Sequence, residues 1–101
     1  MEIPLQITVR GMAANDQIDE KVRQRVDRLE RIFDRIIACR VLIEAPHHHH
    51  NKGGTFHVRI DLSVPQDELV VSRDPAQDHA HEDVLVAIRD AFDAVERHLL
   101  G

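Results

Sequence analysis

The chain of 101 residues alternates between two hydrophobic periods, and their order predicts the fold. Three stretches, 3–10, 39–45 and 56–64, place an apolar residue at every second position, as a half-buried strand does. A shorter stretch at 68–73 follows a proline-containing turn at 65–67 and indicates a fourth strand. Two longer stretches repeat their apolar residues every three or four positions, which is typical of an amphipathic helix.

The first helix is predicted to begin after Asn15, a good N-cap residue, and to extend for about twenty residues. Its apolar stripe consists of Ile18, Val22, Val26, Leu29, Phe33 and Ile36, and that of the second helix of Val84, Ile88, Ala91, Phe92, Val95 and Leu99. The order is therefore βαβββα, an α+β fold in a single domain spanning 1–101. The first two strands, joined through a helix, should be parallel, and the later strands should form antiparallel hairpins. Both helices should pack on one face of this four-stranded mixed sheet.

Composition narrows the class of protein. Hydrophobic residues make up 43 % of the chain and charged residues 31 %, which is typical of a globular domain. The apolar runs are too short to span a membrane, and the N-terminus lacks the pattern of a signal peptide. Cys39 is the single cysteine, which excludes an internal disulfide, and it is predicted to be a small buried hydrophobe. We therefore expect a cytoplasmic protein with no membrane partner.

Six of the eight histidines fall in two loops that the topology predicts at one end of the sheet. They are His47, His48, His49, His50, His79 and His81. Neutral imidazoles bind zinc, nickel or copper, so a divalent transition-metal site is one hypothesis. A solvated loop with no cofactor is another, because consecutive loop residues rarely converge on one ion. A third is a surface that gains charge as the pH falls through about 6.5.

Enzymatic chemistry has little support in the sequence. The chain contains no G-x-S-x-G, P-loop or G-x-G-x-x-G motif. A nucleophile, a base and a group that orients the base cannot be assembled from its residues. We therefore predict a protein that is not an enzyme.

The charge of the chain is unevenly distributed. Residues 1–45 carry eight basic and eight acidic side chains, whereas residues 46–101 carry five and ten, so the second half holds the whole net charge of −5. This balance does not favour DNA, and RNA binding would need a local basic patch. Lys21, Arg25, Arg28 and Arg35 of the first predicted helix are such a patch, since guanidinium groups bind phosphate bidentately. A solvated helix with i,i+4 ion pairs is the alternative, and the residues alone leave the two interpretations open.

Two segments resemble one known family. "RVDRLERIFDRI" (25–36) and, after a hairpin, "VLVAIRDAFDAVERHL" (84–99) resemble the helices of the ribosome hibernation-promoting factor family, which includes the ribosome-associated inhibitor and the sigma-54 modulation proteins. The resemblance covers nearly the whole chain. It implies a domain that docks on the small ribosomal subunit at the decoding region, where basic residues of both helices contact rRNA phosphates, and that represses translation under stress. By position it assigns these contacts to Arg25, Arg28, Arg31 and Arg97, with Lys21 and Arg35 in support.

The chain departs from that family at several points. A family lysine of the second helix falls on Ala94, and this helix carries Asp90, Asp93 and Glu96 instead. The basic tail and the C-terminal dimerisation domain of longer members are missing, so the resemblance implies a short form and leaves the oligomeric state open. Two alternative functions remain at this point: a metal-binding or metal-responsive module that uses the histidine loops, and a protein–protein adaptor that keeps the fold without the RNA site.

Overall fold

A computed structural model describes residues 3–45, 56–73 and 83–100. In chain order its elements are β1 (Leu5–Arg10), α1 (Asp16–Ile32), β2 (Ala38–Glu44), β3 (His57–Val64), β4 (Asp67–Arg73) and α2 (Val84–Leu100). The four strands form one sheet in the order β1-β2-β3-β4. β1 and β2 are parallel, and the other two pairs are antiparallel. The predicted βαβββα order and the mixed sheet are therefore confirmed.

The core lies between the two helices and one face of the sheet. Alternate residues of β2 and β3 are fully buried, whereas the residues between them are exposed or half-buried, as expected of strands with one covered face. The buried cluster joins sheet and helix residues: Ile18, Val22, Val26, Leu29, Ile36, Cys39, Val41, Ile43, Val58, Ile60, Leu62, Val71, Ala87, Ile88, Ala91, Phe92, Ala94 and Val95. Both helices thus pack on the same face, as the sequence predicts. On the opposite face of the sheet, which we call the open sheet face, Arg10, Arg40 and Arg59 are exposed in the described structure.

The start of α1 is as predicted, but its end is not. The Asn15 side chain accepts a hydrogen bond of 2.9 Å from the backbone N–H of Ile18, which caps the helix. The helix has 17 residues and stops at Ile32, because Phe33 is extended (φ −143°). The N–H of Ile37 donates to the carbonyl of Ser63 at 2.7 Å, so this segment is hydrogen-bonded to the end of β3. Buried Ile36 therefore reaches the core from the connection and not from the helix.

The connection from β1 to α1 turns at Gly11, whose φ of 81° favours glycine. A Cβ on Gly11 would lie 3.3 Å from the Cβ of Ala45, so this turn packs closely on the chain that follows β2. At the start of α2, the Asp83 carboxylate accepts a hydrogen bond of 2.9 Å from the N–H of Leu85. Neither α1 nor α2, the two helices of the described residues, has the length and apolar composition that a membrane span needs.

Candidate nucleic-acid interface

Four cations of α1 share one side of the helix. Lys21, Arg25, Arg28 and Arg31 follow one another at spacings of three or four residues and so share one side, which we call the basic flank. This side faces α2, because Arg25 and Arg28 both form ion pairs with residues of that helix. Two of the sequence-predicted cations, Arg25 and Arg28, are therefore brought together at the α1–α2 boundary.

Arg25 is buried in this boundary. Its side chain is 11 % exposed, and its Nη2 donates to Asp93 at 2.7 Å and to Glu96 at 2.9 Å. Its Nη1 lies 3.4 Å from the carbonyl oxygen of Arg89, and its guanidinium carbon lies 5.8 Å from the ring centre of Phe92. Within the described part of the chain, Nε has no hydrogen-bond partner. Arg25 is thus an interhelical residue, and a phosphate contact by it stays a prediction.

The pKa of Arg25 reflects two opposing effects. Burial of the guanidinium acts to lower this pKa, because it penalises the charged form. Hydrogen bonds and Coulomb attraction to Asp93 and Glu96 act the other way, and together they raise the pKa of Arg25 above its ordinary value. The group therefore stays charged, and its charge is matched by two carboxylates.

Arg28 is paired in a more exposed position. Its Nε lies 3.0 Å from Glu96 Oε2, the same oxygen that accepts from Arg25, while its own side chain is 57 % exposed. Glu96 itself is 10 % exposed. One buried carboxylate thus joins two arginines of the basic flank, and Arg28 keeps donors that face solvent.

The other four side chains that are predicted to contact phosphate are more accessible to solvent than Arg25. Arg31, Arg35 and Arg97 are exposed, and Lys21 is half-buried. In residues 3–45, 56–73 and 83–100, none of these four forms an ion pair. Arg35 lies beyond the end of α1, in the turn that leads to β2. These four side chains are the cations that an anionic partner could bind without displacing a described carboxylate.

The role of Asp93 and Glu96 is what sequence reasoning missed. In the sequence they are acidic residues of a helix on which the family resemblance implies basic contacts to rRNA. The sequence does not reveal that both form ion pairs with Arg25. A signal is present in the spacing: Arg25 lies three residues after Val22 and four before Leu29, so it borders the buried stripe. Asp93 and Glu96, three residues apart, share one side of α2. A charged residue at the border of a stripe calls for a partner of opposite charge.

The open sheet face carries a second group of arginines. Arg59 Nε donates to Asp61 at 2.9 Å, and Arg40 Nη2 lies 3.5 Å from Asp61 and 3.7 Å from Glu68. A groove of about 260 Å³ on this face is lined by Arg10, Arg40 and Arg59. Arg10 has no ion pair with any described residue. The positive charge of this face is therefore partly neutralised by its own carboxylates. Charge changes on this face can serve as controls for charge changes on the basic flank.

Cys39 is buried in the core, as predicted. Burial, with a smaller contribution from the charge of Asp61, raises the pKa of its thiol to about 12. The thiolate that reacts with electrophiles and metals is therefore not formed at neutral pH.

The metal hypothesis falls outside the described residues. His47, His48, His49, His50, His79 and His81 all belong to segments that the structure does not describe. Among the residues that it does describe, no group of three or more histidine, cysteine, aspartate or glutamate side chains could hold a metal ion. A metal site at the histidine loops stays a prediction.

Comparison with known proteins decides the family. The family model described as "Sigma 54 modulation protein / S30EA ribosomal protein" matches residues 5–100, which include every strand and both helices. The chain belongs to this family. The membership agrees with the resemblance of the two helix segments, whereas the roles expected of Arg28, Arg31 and Arg97 stay predictions.

Two solved structures are similar to this chain in fold. The Protein Y N-terminal domain of Thermus thermophilus has a TM-score of 0.69 at 23 % identity, with 97 % of this chain and 94 % of that chain covered. A ribosomal subunit interface protein from Coxiella burnetii has a TM-score of 0.75 at 12 % identity, with 96 % and 93 % covered. At these identities the likeness concerns the fold alone. None of the curated proteins compared with the chain matches it.

Proposed function

We propose that this protein associates with the ribosome, binds small-subunit rRNA near the decoding region and represses translation under stress. The observation that carries the proposal is the family match over residues 5–100, which covers both helices and the basic flank. The subunit interface protein from Coxiella burnetii, whose fold is the same, supports it further. Occupation of the path of mRNA and tRNA would keep idle ribosomes from initiating.

The phosphate contacts in this proposal are made mainly by Lys21, Arg31, Arg35 and Arg97. These cations have no ion pair with a described residue, so their binding to phosphate requires no exchange of partners. Arg28 adds its solvent-facing donors. Arg25 supports them by fixing α1 against α2, and it would contact phosphate itself only by giving up Asp93 or Glu96.

Sedimentation of the protein with purified small ribosomal subunits tests the proposal. In a low-salt buffer the unmodified chain should co-sediment. A variant with Lys21→Glu and Arg31→Glu should bind at least about tenfold more weakly, because it loses two phosphate contacts and adds two repulsive charges. Neither residue is ion-paired in the described structure, so the fold should be unaffected, and thermal unfolding checks this.

Arg10→Glu, compared with Arg31→Glu alone, is the matched control. Each change reverses one exposed arginine that has no ion pair with a described residue, and Arg10 lies on the open sheet face. This control should bind as the unmodified chain does. If the control loses binding and the Lys21/Arg31 variant keeps it, the sheet face is the interface and the assignment of the helices is wrong. If the unmodified chain does not co-sediment at any salt concentration, the ribosomal function itself is refuted.

The acidic residues of α2 favour one alternative, a protein–protein adaptor that keeps the fold without the RNA site. Asp93 and Glu96 neutralise Arg25 and share Arg28, so the basic flank is weaker than a count of its residues suggests. An adaptor would fail to co-sediment with isolated rRNA or small subunits and would be captured by a protein instead. The same sedimentation experiment therefore separates the two functions.

A further inference from the structure

Among the described strands, β1 lies at one edge of the sheet, and one row of its peptide groups pairs with none of the others. The N–H of Cys39 donates to the carbonyl of Pro4 at 3.0 Å, and the N–H of Ala45 donates to that of Arg10 at 2.9 Å. In a parallel ladder the N–H and C=O of one residue point the same way, so the alternate residues Leu5, Ile7 and Val9 direct theirs away from β2. No described strand pairs with that side of β1. Such an edge is a template for another strand.

An apolar groove runs beside this edge, between β1 and α1. It consists of two adjoining hollows, of about 380 Å³ and 150 Å³, which share Ile3 and Glu30 as lining residues. Its apolar lining is formed by Ile3, Leu5, Val26, Phe33, Ile36 and Ile37. Ile37 is 54 % exposed, which is a large exposure for a residue of this type beside a core. The groove can therefore accept apolar side chains from a strand added to β1.

The rim of the groove is acidic. Asp27, Glu30 and Asp34 line it, and within the described residues none of them forms an ion pair. Arg23 also lines the groove, but its Nε donates to Asp19 at 2.8 Å. Asp27 and Glu30 lie on the side of α1 away from the basic flank, and Asp34 follows the end of the helix. The groove and the basic flank are therefore separate surfaces.

We propose that β1 and this groove bind an extended segment of a basic protein by strand addition. The segment would pair with the free peptide groups of Leu5, Ile7 and Val9. At the alternate positions that face α1 it would present both apolar side chains, which enter the groove, and lysine or arginine, which meets the acidic rim. A nucleic acid is disfavoured by the same carboxylates. A second copy of this chain is disfavoured as well, because joining β1 to β1 would bring two acidic rims together. The proposal goes beyond rRNA binding, since it assigns a protein partner to a separate surface.

A seven-residue peptide, blocked at both ends, is a suitable probe if valine and lysine take turns at its odd positions and threonine fills the even ones. Alternate residues of a strand share one face, so its valines and lysines then face α1 together. Titrated into the full chain, the peptide should shift the amide signals of Leu5, Ile7 and Val9 in NMR spectra and slow their hydrogen exchange. The matched control peptide has the same residues with methyl groups on alternate backbone nitrogens, so it keeps the charges but cannot pair as a strand. Equal binding of both peptides would show that strand addition is wrong.

Charge reversal at the rim tests the chemistry of the partner. Glu30→Lys with Asp34→Lys should weaken peptide binding about tenfold in low salt. Glu20→Lys with Glu68→Lys is the control: it changes the charge equally at exposed residues that do not line the groove, and it should leave the affinity unchanged. Asp27→Asn with Asp34→Asn is a milder second pair if the reversal unfolds the chain.

Three results would overturn the proposal: no peptide binding, binding insensitive to both rim variants, or a concentration-dependent dimer that protects the β1 amides without peptide. None of them depends on the ribosome. The outcome is therefore independent of the sedimentation experiment for rRNA binding.

Discussion

Arg25 and Arg28 share the carboxylate of Glu96, yet their surroundings differ. Arg25 is 11 % exposed and Arg28 is 57 % exposed. Arg25→Ala should reduce the free energy of unfolding by about 2–4 kcal/mol, because it leaves Glu96 and Asp93 without their buried cation. Arg28→Ala should cost less than about 1 kcal/mol, as exposed ion pairs do. Urea unfolding of the two variants measures both values.

Equal losses in the two variants would contradict this difference in roles. The comparison also affects the choice of variants for RNA binding. Reversing the charge of Arg25 would place a third carboxylate beside Asp93 and Glu96, so a loss of ribosome binding could follow from unfolding alone. Lys21 and Arg31 are therefore the better residues for that experiment.

The buried thiol of Cys39 should make the free energy of unfolding decrease at alkaline pH. Burial raises the pKa of its thiol from an ordinary 9.0 to about 12, so the folded state keeps a proton that the unfolded state releases. Below pH 9 the thiol is protonated in both states, so the free energy of unfolding does not depend on its titration. Between pH 9 and 12 that free energy should fall by about 1.4 kcal/mol per pH unit. Urea unfolding at pH 8, 9.5 and 10.5 should show this slope in the unmodified chain and its loss in Cys39→Ala. Parallel slopes in both would contradict the assignment to Cys39.

At the level of elements, local sequence predicts this fold well because each element carries its own signal. The period of two in β3 and the helical stripe of α1 each identify a buried face, and Asn15 marks a helix start by a contact three residues away. Parallel pairing of β1 and β2 follows from the intervening helix. These signals depend on residues close together in the chain.

The features that were not predicted depend on residues far apart. α1 ends at Ile32, and the segment after it is hydrogen-bonded at Ile37 to Ser63, a contact across 26 positions that the stripe through Ile36 does not reveal. The ion pair of Arg25 with Glu96 spans 71 positions. Spacing indicates that Arg25 borders the buried face, but the identity of its partner depends on how α2 crosses α1.

At the scale of the whole molecule, a basic surface and an acidic surface lie on different sides of a chain whose net charge is negative. The net charge of −5 opposes an approach to rRNA, while the basic flank of α1 faces α2 and the acidic rim faces the edge of β1. An anionic partner is thus attracted in one orientation and repelled in others, which selects the docking pose more than it increases affinity. A basic partner should take the opposite side.

This distribution predicts a shallow dependence of ribosome binding on salt. Lys21, Arg31, Arg35 and Arg97 are the four proposed contacts without an ion pair in the described residues, and each phosphate contact contributes about 0.7–0.9 to the slope of log affinity against log salt. The slope should therefore be about −3, and Lys21→Glu with Arg31→Glu should bring it to about −1.5. Quantitative sedimentation with small subunits at four salt concentrations measures both slopes. A slope near zero would mean that binding does not depend on phosphate contacts, and a slope steeper than about −5 would mean that Arg25 or the sheet face engages rRNA in addition to Arg28.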